Sequence, residues 1–323
     1  EFMNSSNREI TESEKRLHEK LRRDLGEGFM QALSDPKTVE IMLNADGVLW
    51  QERLGEGMRQ IGTMNPTRAE AVMRVIASCL DTEVSRDAPI LEGELPLDGS
   101  RFAGWLPPIV SAPTFAVRKK ASAIFKLAQY VEQGIMSERQ KEAIQQAVLD
   151  HKNILVIGGT GSGKTTLCNS IIDEVSVQFP DERIFIIEDT GEIQCSAVNS
   201  VQFNTSLAAD MTQLLKTTLR GRPDRILVGE VRGAEALDLL DAWNTGHEGG
   251  IATLHANNAA AGLDRLRSLI TRNPCAPADI EPLIGEVVHI VIHIARSPEG
   301  RRIEEILQVS GYSNGSYNLQ KLT

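Results

Sequence analysis

The second half of the chain alternates short apolar runs with stretches in which apolar residues recur every three or four positions. The apolar runs predict buried strands at residues 153–157, 184–187, 201–203, 226–228 and 251–254. The periodic stretches predict helices at residues 165–177, 211–220, 234–244 and 259–269. Continuous apolar strands that alternate with helices are typical of a mostly parallel sheet covered by helices. The apolar runs at 287–294, 303–309 and 311–319 predict a strand-rich appendage to this α/β domain.

The first half follows a different pattern, with apolar runs that are shorter and interrupted by Gly and Pro. The recurrence of leucine at every fourth position within a charged stretch predicts a surface helix over 14–25. Residues 39–43 predict a strand that a turn joins to a hairpin partner at 48–50. A second helix is predicted at 67–80, and short strands follow at 90–95, 102–106 and 114–117. This half is therefore predicted to be an α+β domain.

These patterns divide the chain into four segments. Residues 1–13 are polar and begin with Glu1-Phe2 ahead of Met3, in the manner of a cloning remnant, so they are predicted to be a tag and a disordered N-terminus. The α+β domain is predicted over 14–130 and a linker over 131–136. Ser137 and Gln140 have the spacing of a capping box, which predicts that a helix begins there and that the α/β domain covers 137–323.

Composition limits the classes of function. With 41% apolar and 24% charged residues, the chain is expected to be globular. A formal net charge of −10 and 4% aromatic residues argue against a nucleic-acid surface and against base stacking. No apolar run approaches the roughly 18–20 residues that span a bilayer, and no apolar signal region is found, so export is not expected. The four cysteines lack metal-ligand spacing and are expected to be reduced thiols in a cytosol.

A glycine-rich segment joins the first predicted parallel strand to a helix. It matches G-x-x-x-x-G-K-[ST], the phosphate-binding loop, in which glycines let the backbone approach a polyphosphate and the helix N-terminus binds the anion. Lys164 is expected to contact the β- and γ-phosphates, and the Thr165 hydroxyl is expected to ligate Mg²⁺. The predicted ligands of this segment are therefore a nucleoside triphosphate and Mg²⁺. The predicted nucleotide-binding residues of this segment are Gly158, Gly159, Thr160, Gly161, Ser162, Gly163, Lys164, Thr165 and Thr166.

Two further strands end in carboxylates, at the edge of an α/β sheet where ligands bind. One strand leads into Glu188 and Asp189, and the other leads through Gly229 into Glu230. A nucleoside triphosphatase needs one acidic group to position Mg²⁺ and another to orient or deprotonate water. Glu188 and Glu230 are therefore predicted to be catalytic, and Glu230 and Asp189 to hold Mg²⁺ through water. Which carboxylate is the base stays open, because Gly229 stands where most phosphate-loop enzymes carry Asp.

Histidines and arginines near these strands predict further contacts with phosphate. His247 precedes the last parallel strand and His255 follows it. His255 is predicted to hydrogen-bond the γ-phosphate and to sense its loss, while a structural role for one or both histidines stays open. Arg220 and Arg232 lie on either side of the strand that ends near Glu230. A guanidinium, often from a neighbouring subunit, stabilises charge on a transferred phosphoryl group, and Arg220 is predicted to supply it.

In these segments the chain resembles the traffic ATPases of type II and type IV secretion. It is most similar to their conjugal-transfer branch, the TrbB-type proteins, from about residue 14 to the end. The absence of Asp at Gly229 is normal for this family, and the lack of a paired-cysteine zinc motif favours the type IV side. The resemblance depends on the phosphate loop at 158–165, an acidic box at 187–192, the segment 219–232 and a histidine box at 246–256.

The resemblance implies an N-terminal α+β domain followed by a RecA-like ATPase domain, with nucleotide bound between them and six copies in a ring. It implies that Arg101 and Arg118 contact the nucleotide from the N-terminal domain. It also implies a cytoplasmic ATPase, peripheral to the inner membrane, that docks on inner-membrane components of a secretion or conjugation apparatus. Such a motor powers pilus assembly or substrate translocation, without sequence-specific binding of nucleic acid.

Two other functions stay open at this point. A DNA-translocating or helicase-like ATPase would share the phosphate loop, but the net charge of −10 and the few aromatic residues count against it. A small-molecule kinase would share it too, but such an enzyme has no need of an α+β domain ahead of the loop.

Overall fold

The chain divides into two compact units, Glu1–Ser122 and Ala123–Thr323. The computed structural model describes residues 12–53, 56–119, 124–206, 208–297 and 300–323. Of the predicted tag and disordered N-terminus, residues 1–11 lie outside this described part, and residues 12 and 13 belong to the first helix. None of the helices described has the length and apolarity that crossing a lipid bilayer demands.

An antiparallel sheet and three helices make up the described part of the first unit. The helices are α1 (Glu12–Leu25), α2 (Glu27–Ser34) and α3 (Pro66–Cys79). The strands are β1 (Thr38–Leu43), β2 (Val48–Arg53), β3 (Gly57–Thr63), β4 (Ile90–Glu94), β5 (Arg101–Trp105) and β6 (Thr114–Arg118). They lie in the order β3-β2-β1-β6-β5-β4, and each is antiparallel to its neighbours. The predicted α+β class of this half is confirmed.

Local sequence explains how the helices of this unit begin and which face they bury. The side chain of Asn65 accepts a hydrogen bond from a backbone N–H in the first turn of α3, and Pro66 occupies that turn. Ile76 of α3 packs into one core with Leu21 and Leu25 of α1. The apolar spacing that predicted both helices is therefore the spacing of their buried faces.

The second unit is built on one mixed sheet with helices packed on it. Its helices are α4 (Leu127–Glu132), α5 (Glu138–Leu149), α6 (Lys164–Gln178), α7 (Met211–Thr218), α8 (Glu235–Trp243), α9 (Ala259–Ile270) and α10 (Glu281–Val287). Its strands are β7 (Ile154–Ile157), β8 (Ile184–Glu188), β9 (Ser200–Asn204), β10 (Arg225–Val228), β11 (Ile251–Leu254), β12 (Ile290–Ser297), β13 (Gly300–Ser313) and β14 (Ser316–Lys321). Among the described residues these strands lie in the order β14-β13-β12-β7-β11-β10-β8-β9. The strands from β12 to β9 run parallel, and the predicted mostly parallel α/β class is confirmed.

The central strands of this sheet are buried along their whole length. Every residue of β7, β8, β10 and β11 is buried. That burial on both faces is why these strands are continuous apolar runs in the sequence. Because they are parallel, their carboxyl ends meet at one edge, where β11 lies between β7 and β10.

The C-terminal strands belong to the main sheet, so the prediction of an appendage is wrong. β12 pairs in parallel with β7, with Ile290 opposite Ile154 and Ile292 opposite Val156. β13 pairs antiparallel with β12, and β14 pairs antiparallel with β13. An apolar run has the same appearance in an appended hairpin and in a central sheet, and only the pairing distinguishes the two.

The segment ahead of α5 packs within the second unit. Tyr130 and Met136 are buried in its core, although the composition predicts a linker over 131–136, and the boundary between the compact units falls at 122/123. The helix predicted at Ser137 is α5. Ser137 Oγ accepts a hydrogen bond from Gln140 N, and Gln140 Oε1 accepts one from Ser137 N, which is the predicted capping box.

Close packing explains the glycines ahead of β11. Asn153 Oδ1 accepts hydrogen bonds from Gly249 N and Gly250 N at 2.9 and 3.0 Å. A Cβ at position 250 would lie 2.0 Å from Trp243 Nε1, and a Cβ at position 249 would lie 2.5 Å from Arg225 Nη1. The buried side chains of Trp243 and Arg225 thus fill the space that side chains at positions 249 and 250 would need. Packing therefore explains why this end of the histidine box has glycines.

Candidate nucleotide-binding site

The glycine-rich loop lies between β7 and α6, as its motif predicts. Gly161 and Gly163 have φ angles of 70° and 98°, in the left-handed region that favours glycine. A Cβ at position 158 would lie 2.2 Å from Ile294 O. Ser162 Oγ is buried without a hydrogen-bond partner among the described residues. The result is a cradle of backbone and one buried hydroxyl at a helix N-terminus, which fits a polyphosphate.

Lys164 is the first residue of α6, and its side chain turns back into the loop. Its Nζ donates to Gly158 O and Gly159 O, each at 2.9 Å, and lies 3.4 Å from His255 Nδ1. Burial lowers the pKa of Lys164, while the charge of Glu230 opposes that shift. The ammonium is thus held by uncharged carbonyls, and a phosphate oxygen is a stronger acceptor than either of them.

Glu230 is the second residue after β10 and has two side-chain partners. Its Oε1 lies 3.0 Å from His255 Nε2, and its Oε2 accepts a hydrogen bond from Arg232 Nη2 at 2.6 Å. Burial acts to raise the pKa of Glu230, but the hydrogen bond and charge of Arg232, with the charge of Lys164, lower it below its usual value. The carboxylate is therefore ionised at neutral pH and can accept a proton.

His255 bridges Lys164 and Glu230 because β11 lies between β7 and β10. Burial, and then the charge of Lys164, lower the pKa of His255, while Glu230 acts to raise it. The imidazole is therefore neutral at pH 7. Nε2–H can donate to Glu230 Oε1, and a hydrogen bond with the backbone of Gly158 also acts to raise the pKa of His255. Three of the residues predicted to be catalytic thus lie in one contact chain.

Glu188 ends β8 and holds the acidic box against the sheet edge. It is buried, and its Oε2 accepts hydrogen bonds from Glu192 N at 2.8 Å and Ile193 N at 3.0 Å. A Cβ at position 229 would lie 2.9 Å from Glu188 Cβ. Gly229, which stands where most phosphate-loop enzymes carry Asp, therefore leaves room for the Glu188 side chain.

Arg232 joins the two carboxylate segments. Its Nη2 donates to Glu230, and its Nη1 lies 3.6 Å from Asp189 Oδ2. Asp189 Oδ1 in turn accepts a hydrogen bond from Thr205 Oγ1 at 2.9 Å. The hydrogen bond with Glu230 raises the pKa of Arg232. In the sequence, Arg232 is only one of the arginines beside the strand. Its position two residues after Glu230 is the feature that could have indicated a contact with that carboxylate.

Two of the residues considered from the sequence lie at the other end of the strands. Arg220 is exposed in a 3₁₀ turn, Leu219–Gly221, that precedes β10. His247 precedes β11, and its Nδ1 lies 3.3 Å from Thr245 Oγ1. The phosphate loop follows the carboxyl end of β7, so within one chain Arg220 is on the opposite edge of the sheet. The histidine box is likewise split between the two ends of β11.

Arg101 and Arg118 are neighbours in the first unit. They lie directly opposite each other on β5 and β6. Glu94 is opposite Arg101 on the other side, and Glu40 is opposite Arg118. Directly opposed like charges are unfavourable in a sheet, whereas an anion that bridges two guanidinium groups is favourable. Their contact with nucleotide stays a prediction.

The acidic side chains do not form a cage for a metal. Among the described residues, no group of three or more His, Cys, Asp or Glu side chains is arranged to hold a metal ion. A site of that kind is not needed for Mg²⁺ in a nucleotide enzyme, because phosphate and water supply most of its ligands. Thr165, in the first turn of α6, and the carboxylates of Asp189 and Glu230 have the hard oxygen donors that fit this role.

Two arginines that no sequence motif singles out lie against the loop. Arg301 Nη2 donates to Gly161 O at 3.3 Å. A Cβ at position 161 would lie 3.6 Å from Arg296 Nη1, and Arg296 is opposite Arg301 on β12 and β13. No local motif marks these residues, because only the pairing of β12 with β7 brings them to the loop.

The elements that build this site lie in a segment shared with known proteins. A family model described as "Type II/IV secretion system protein" matches residues 60–310, more than half of the chain. The chain belongs to that family. The resemblance that the motifs indicated is thereby confirmed.

Relatives of this family member match it over most of their length. The chain is 47% identical over 308 residues to the probable conjugal transfer protein TrbB of Sinorhizobium fredii, covering 95% of this chain and 94% of that protein. It is 32% identical over 299 residues to the type IV secretion system protein PtlH of Bordetella pertussis, covering 82% and 87%. The X-ray structure of the ATPase DotB of Legionella pneumophila matches with a TM-score of 0.64 at 20% identity, covering 87% and 79%. This last likeness shows that the fold is shared.

Proposed function

We propose that this family member hydrolyses ATP to ADP and phosphate as the homohexameric motor of a type IV secretion or conjugal-transfer apparatus. The observation that carries the proposal is the contact chain from Lys164 through His255 to Glu230. Through His255, this chain joins an ammonium at the start of α6, in the phosphate loop, to a carboxylate that follows β10, which supports their roles in binding phosphate and accepting a proton. The names of the relatives TrbB and PtlH support a role in such an apparatus, since one is a conjugal transfer protein and the other a type IV secretion protein.

The residues of the site divide the reaction among them. The polyphosphate lies on the loop, and the Lys164 ammonium exchanges its two carbonyl acceptors for β- and γ-phosphate oxygens. Water attacks the γ-phosphorus, the bond to the β–γ bridging oxygen breaks, and the proton of the water passes to the Glu230 carboxylate. With ATP bound, His255 would donate its Nε2–H to the γ-phosphate instead of to Glu230, and the loss of that contact after hydrolysis would let it sense the γ-phosphate.

Oxygen donors beside the loop fit Mg²⁺. The Thr165 hydroxyl would hold the ion directly, and Asp189 and Glu230 would do so through water. When bound, Mg²⁺ neutralises negative charge on the phosphate oxygens. Glu188 is a second candidate catalytic carboxylate, and its hydrogen bonds to backbone N–H groups support a part in holding Asp189 in place.

In a ring, a neighbouring copy can supply an arginine that a single copy does not bring to its own phosphate loop. We place Arg220 at the nucleotide of a neighbouring copy, because it lies at the amino ends of its own strands. Arg101 and Arg118 are proposed to contact nucleotide from the first unit, where their adjacency suits a phosphate. The ring is proposed to act on the cytoplasmic side, docked on inner-membrane components of the apparatus.

Mass measurement and phosphate release on one sample test this function. With ATP and Mg²⁺ we expect the mass of six copies and release of inorganic phosphate, and chelation of Mg²⁺ should stop the release. A monomer that binds ATP without releasing phosphate would defeat the proposal. Phosphate that appears on a metabolite would instead indicate a kinase, and turnover that requires single-stranded DNA would indicate a DNA translocase.

Replacing Glu230 by glutamine is expected to leave ATP affinity unchanged and to lower turnover by about 10²–10⁴-fold, the range of general-base losses. The amide keeps the size of the side chain but is too weak a base to accept the proton. Titration of nucleotide binding beside a phosphate-release assay measures both effects. Glu286→Gln, an exposed glutamate on α10, is the matched control and should keep the parental rate. Parental turnover in Glu230→Gln would exclude Glu230 as the base.

A further inference from the structure

The hairpin of β12 and β13 lies against the phosphate loop. Ile294 O of β12 occupies the space where a Cβ at position 158 would lie, 2.2 Å away. Arg301 of β13 donates from Nη2 to Gly161 O at 3.3 Å. Its Cδ would lie 3.1 Å from a Cβ at position 163, so its stem packs on that glycine. One arginine thus contacts the loop at both of its left-handed glycines.

β13, the strand that carries Arg301, is also hydrogen-bonded to the segment that follows the boundary between the two units. Ile303, two residues after Arg301, donates its backbone N–H to Ile135 O at 2.8 Å. Ile303 O accepts a hydrogen bond from Gln140 Nε2 at 3.2 Å, in a buried position. Both backbone groups of Ile303 are therefore engaged by the α4–α5 junction at 133–140.

A second contact connects α4 to the same place. Burial raises the pKa of Tyr130 on α4 to about 12, while a hydrogen bond with Ser170 on α6 and the charge of Arg301 oppose that shift. Tyr130 therefore contacts α6, the helix that begins at the phosphate loop, and is near enough to Arg301 to feel its charge. The segment from Leu127 to Gln140 thus reaches the loop through β13.

Arg301 restricts the backbone of the glycine-rich loop. Glycines allow the left-handed conformations of the loop, but they also allow many others, because glycine has no Cβ to restrict its backbone. A phosphate site requires one arrangement of N–H groups before the ligand arrives, and each residue that has to be ordered on binding weakens the affinity. A guanidinium that fixes the Gly161 carbonyl also fixes the peptide group that joins Gly161 to Ser162.

We propose that Arg301 is a positioning residue that holds the phosphate loop in its nucleotide-binding shape and ties it to the segment 127–140. This rests on the proposed nucleotide-binding function and adds how that site is held. Movement of segment 127–140 shifts Ile303 and Arg301 with it, and the loop changes its affinity for nucleotide. Arg301 acts through its hydrogen bond to Gly161 O.

Nucleotide titration of Arg301→Ala, Arg301→Lys and Arg302→Ala tests the first part. The loss of one charge-assisted hydrogen bond predicts Kd and KM values for ATP about tenfold higher in Arg301→Ala, with kcat within about twofold. Arg301→Lys keeps a cationic donor and should restore Kd to within about threefold. Arg302, exposed and next in the same strand, is the matched control and should bind ATP as the parent does. Unfolding midpoints without nucleotide report on the fold.

The results separate this inference from the proposed function. If the parent protein does not bind ATP, the proposed function fails. If the parent binds ATP and Arg301→Ala binds it equally well, only the role of Arg301 fails. A loss of kcat and unfolding midpoint in Arg301→Ala that Arg301→Lys does not restore would show a general structural role and would also overturn the proposal.

A double-mutant cycle tests the tie to segment 127–140. Gln140→Met removes the donor to Ile303 O and should raise the Kd for ATP about threefold, but it should add almost nothing in an Arg301→Ala background. Ser137→Ala, which disrupts the same capping box without touching Ile303, is the control and should leave the Kd unchanged. Additive effects of Gln140→Met and Arg301→Ala, or no effect of Gln140→Met, would overturn the tie.

Discussion

Replacing Lys164 by alanine is expected to abolish productive nucleotide binding and to lower turnover by on the order of 10³-fold, as for removal of a transition-state donor. The Nζ of Lys164 lies inside the loop, where it donates hydrogen bonds to Gly158 O and Gly159 O. Alanine removes the only ammonium in the contact chain with His255 and Glu230. Nucleotide titration and phosphate release measure the loss.

The fold of this variant should survive. Burial lowers the pKa of Lys164, which means that its charged form is less favourable in the folded chain than in water. Removing the ammonium is therefore not expected to lower the unfolding midpoint in the absence of nucleotide. Lys321→Ala, on exposed β14, is the control and should keep the parental rate. A Lys164→Ala protein with near-parental ATPase activity would contradict the assignment of the loop.

Replacing Arg220 by alanine is expected to leave assembly and ATP binding intact and to lower turnover by on the order of 10³-fold. Arg220 is exposed at the amino ends of the strands, on the opposite edge from the loop of its own chain. In a ring of head-to-tail contacts, this edge can face the loop of the next copy. Phosphate release from the purified hexamer measures the effect, with Arg265→Ala on α9 as an exposed-arginine control.

Mixed rings of Arg220→Ala and Lys164→Ala copies decide where Arg220 acts. If Arg220 serves a neighbouring copy, an interface is complete wherever an Arg220→Ala copy supplies the loop and a Lys164→Ala copy supplies the arginine. In an equal random mixture, each of the two copies at an interface is the required variant with a probability of about one half. About a quarter of the interfaces therefore meet that condition. Activity should therefore rise well above that of either variant alone. A mixture as inactive as its two components would show that Arg220 does not act across the interface.

The elements that were predicted well are those with a strong local pattern. β7, β8, β10 and β11 are buried on both faces, so each is a continuous apolar run in the sequence. β3 was not predicted because it is an edge strand with mostly exposed residues and carries no apolar alternation. The placement of β12 was not predicted either, because an apolar run does not record which strand it pairs with.

The site divides in the same way. The phosphate loop could be predicted because its glycines, Lys164 and Thr165 are contiguous, and their chemistry depends on local backbone geometry. The carboxylates and His255 could be predicted as strand-end residues, but not as partners of one another. Their contacts depend on β11 lying between β7 and β10, which is a property of strand order.

The sequence by itself thus determined the family, the two kinds of domain and the phosphate-binding segment, since each is encoded in neighbouring residues. Only the tertiary structure decided that Glu230 is held by both His255 and Arg232, and that Arg220 lies on the far edge of its own sheet. The tertiary structure likewise brought Arg301 to Gly161 from 140 residues away along the chain. The physical reason is that hydrogen bonds and ion pairs act over a few ångströms in space, and chain position fixes such distances only within an element or a turn.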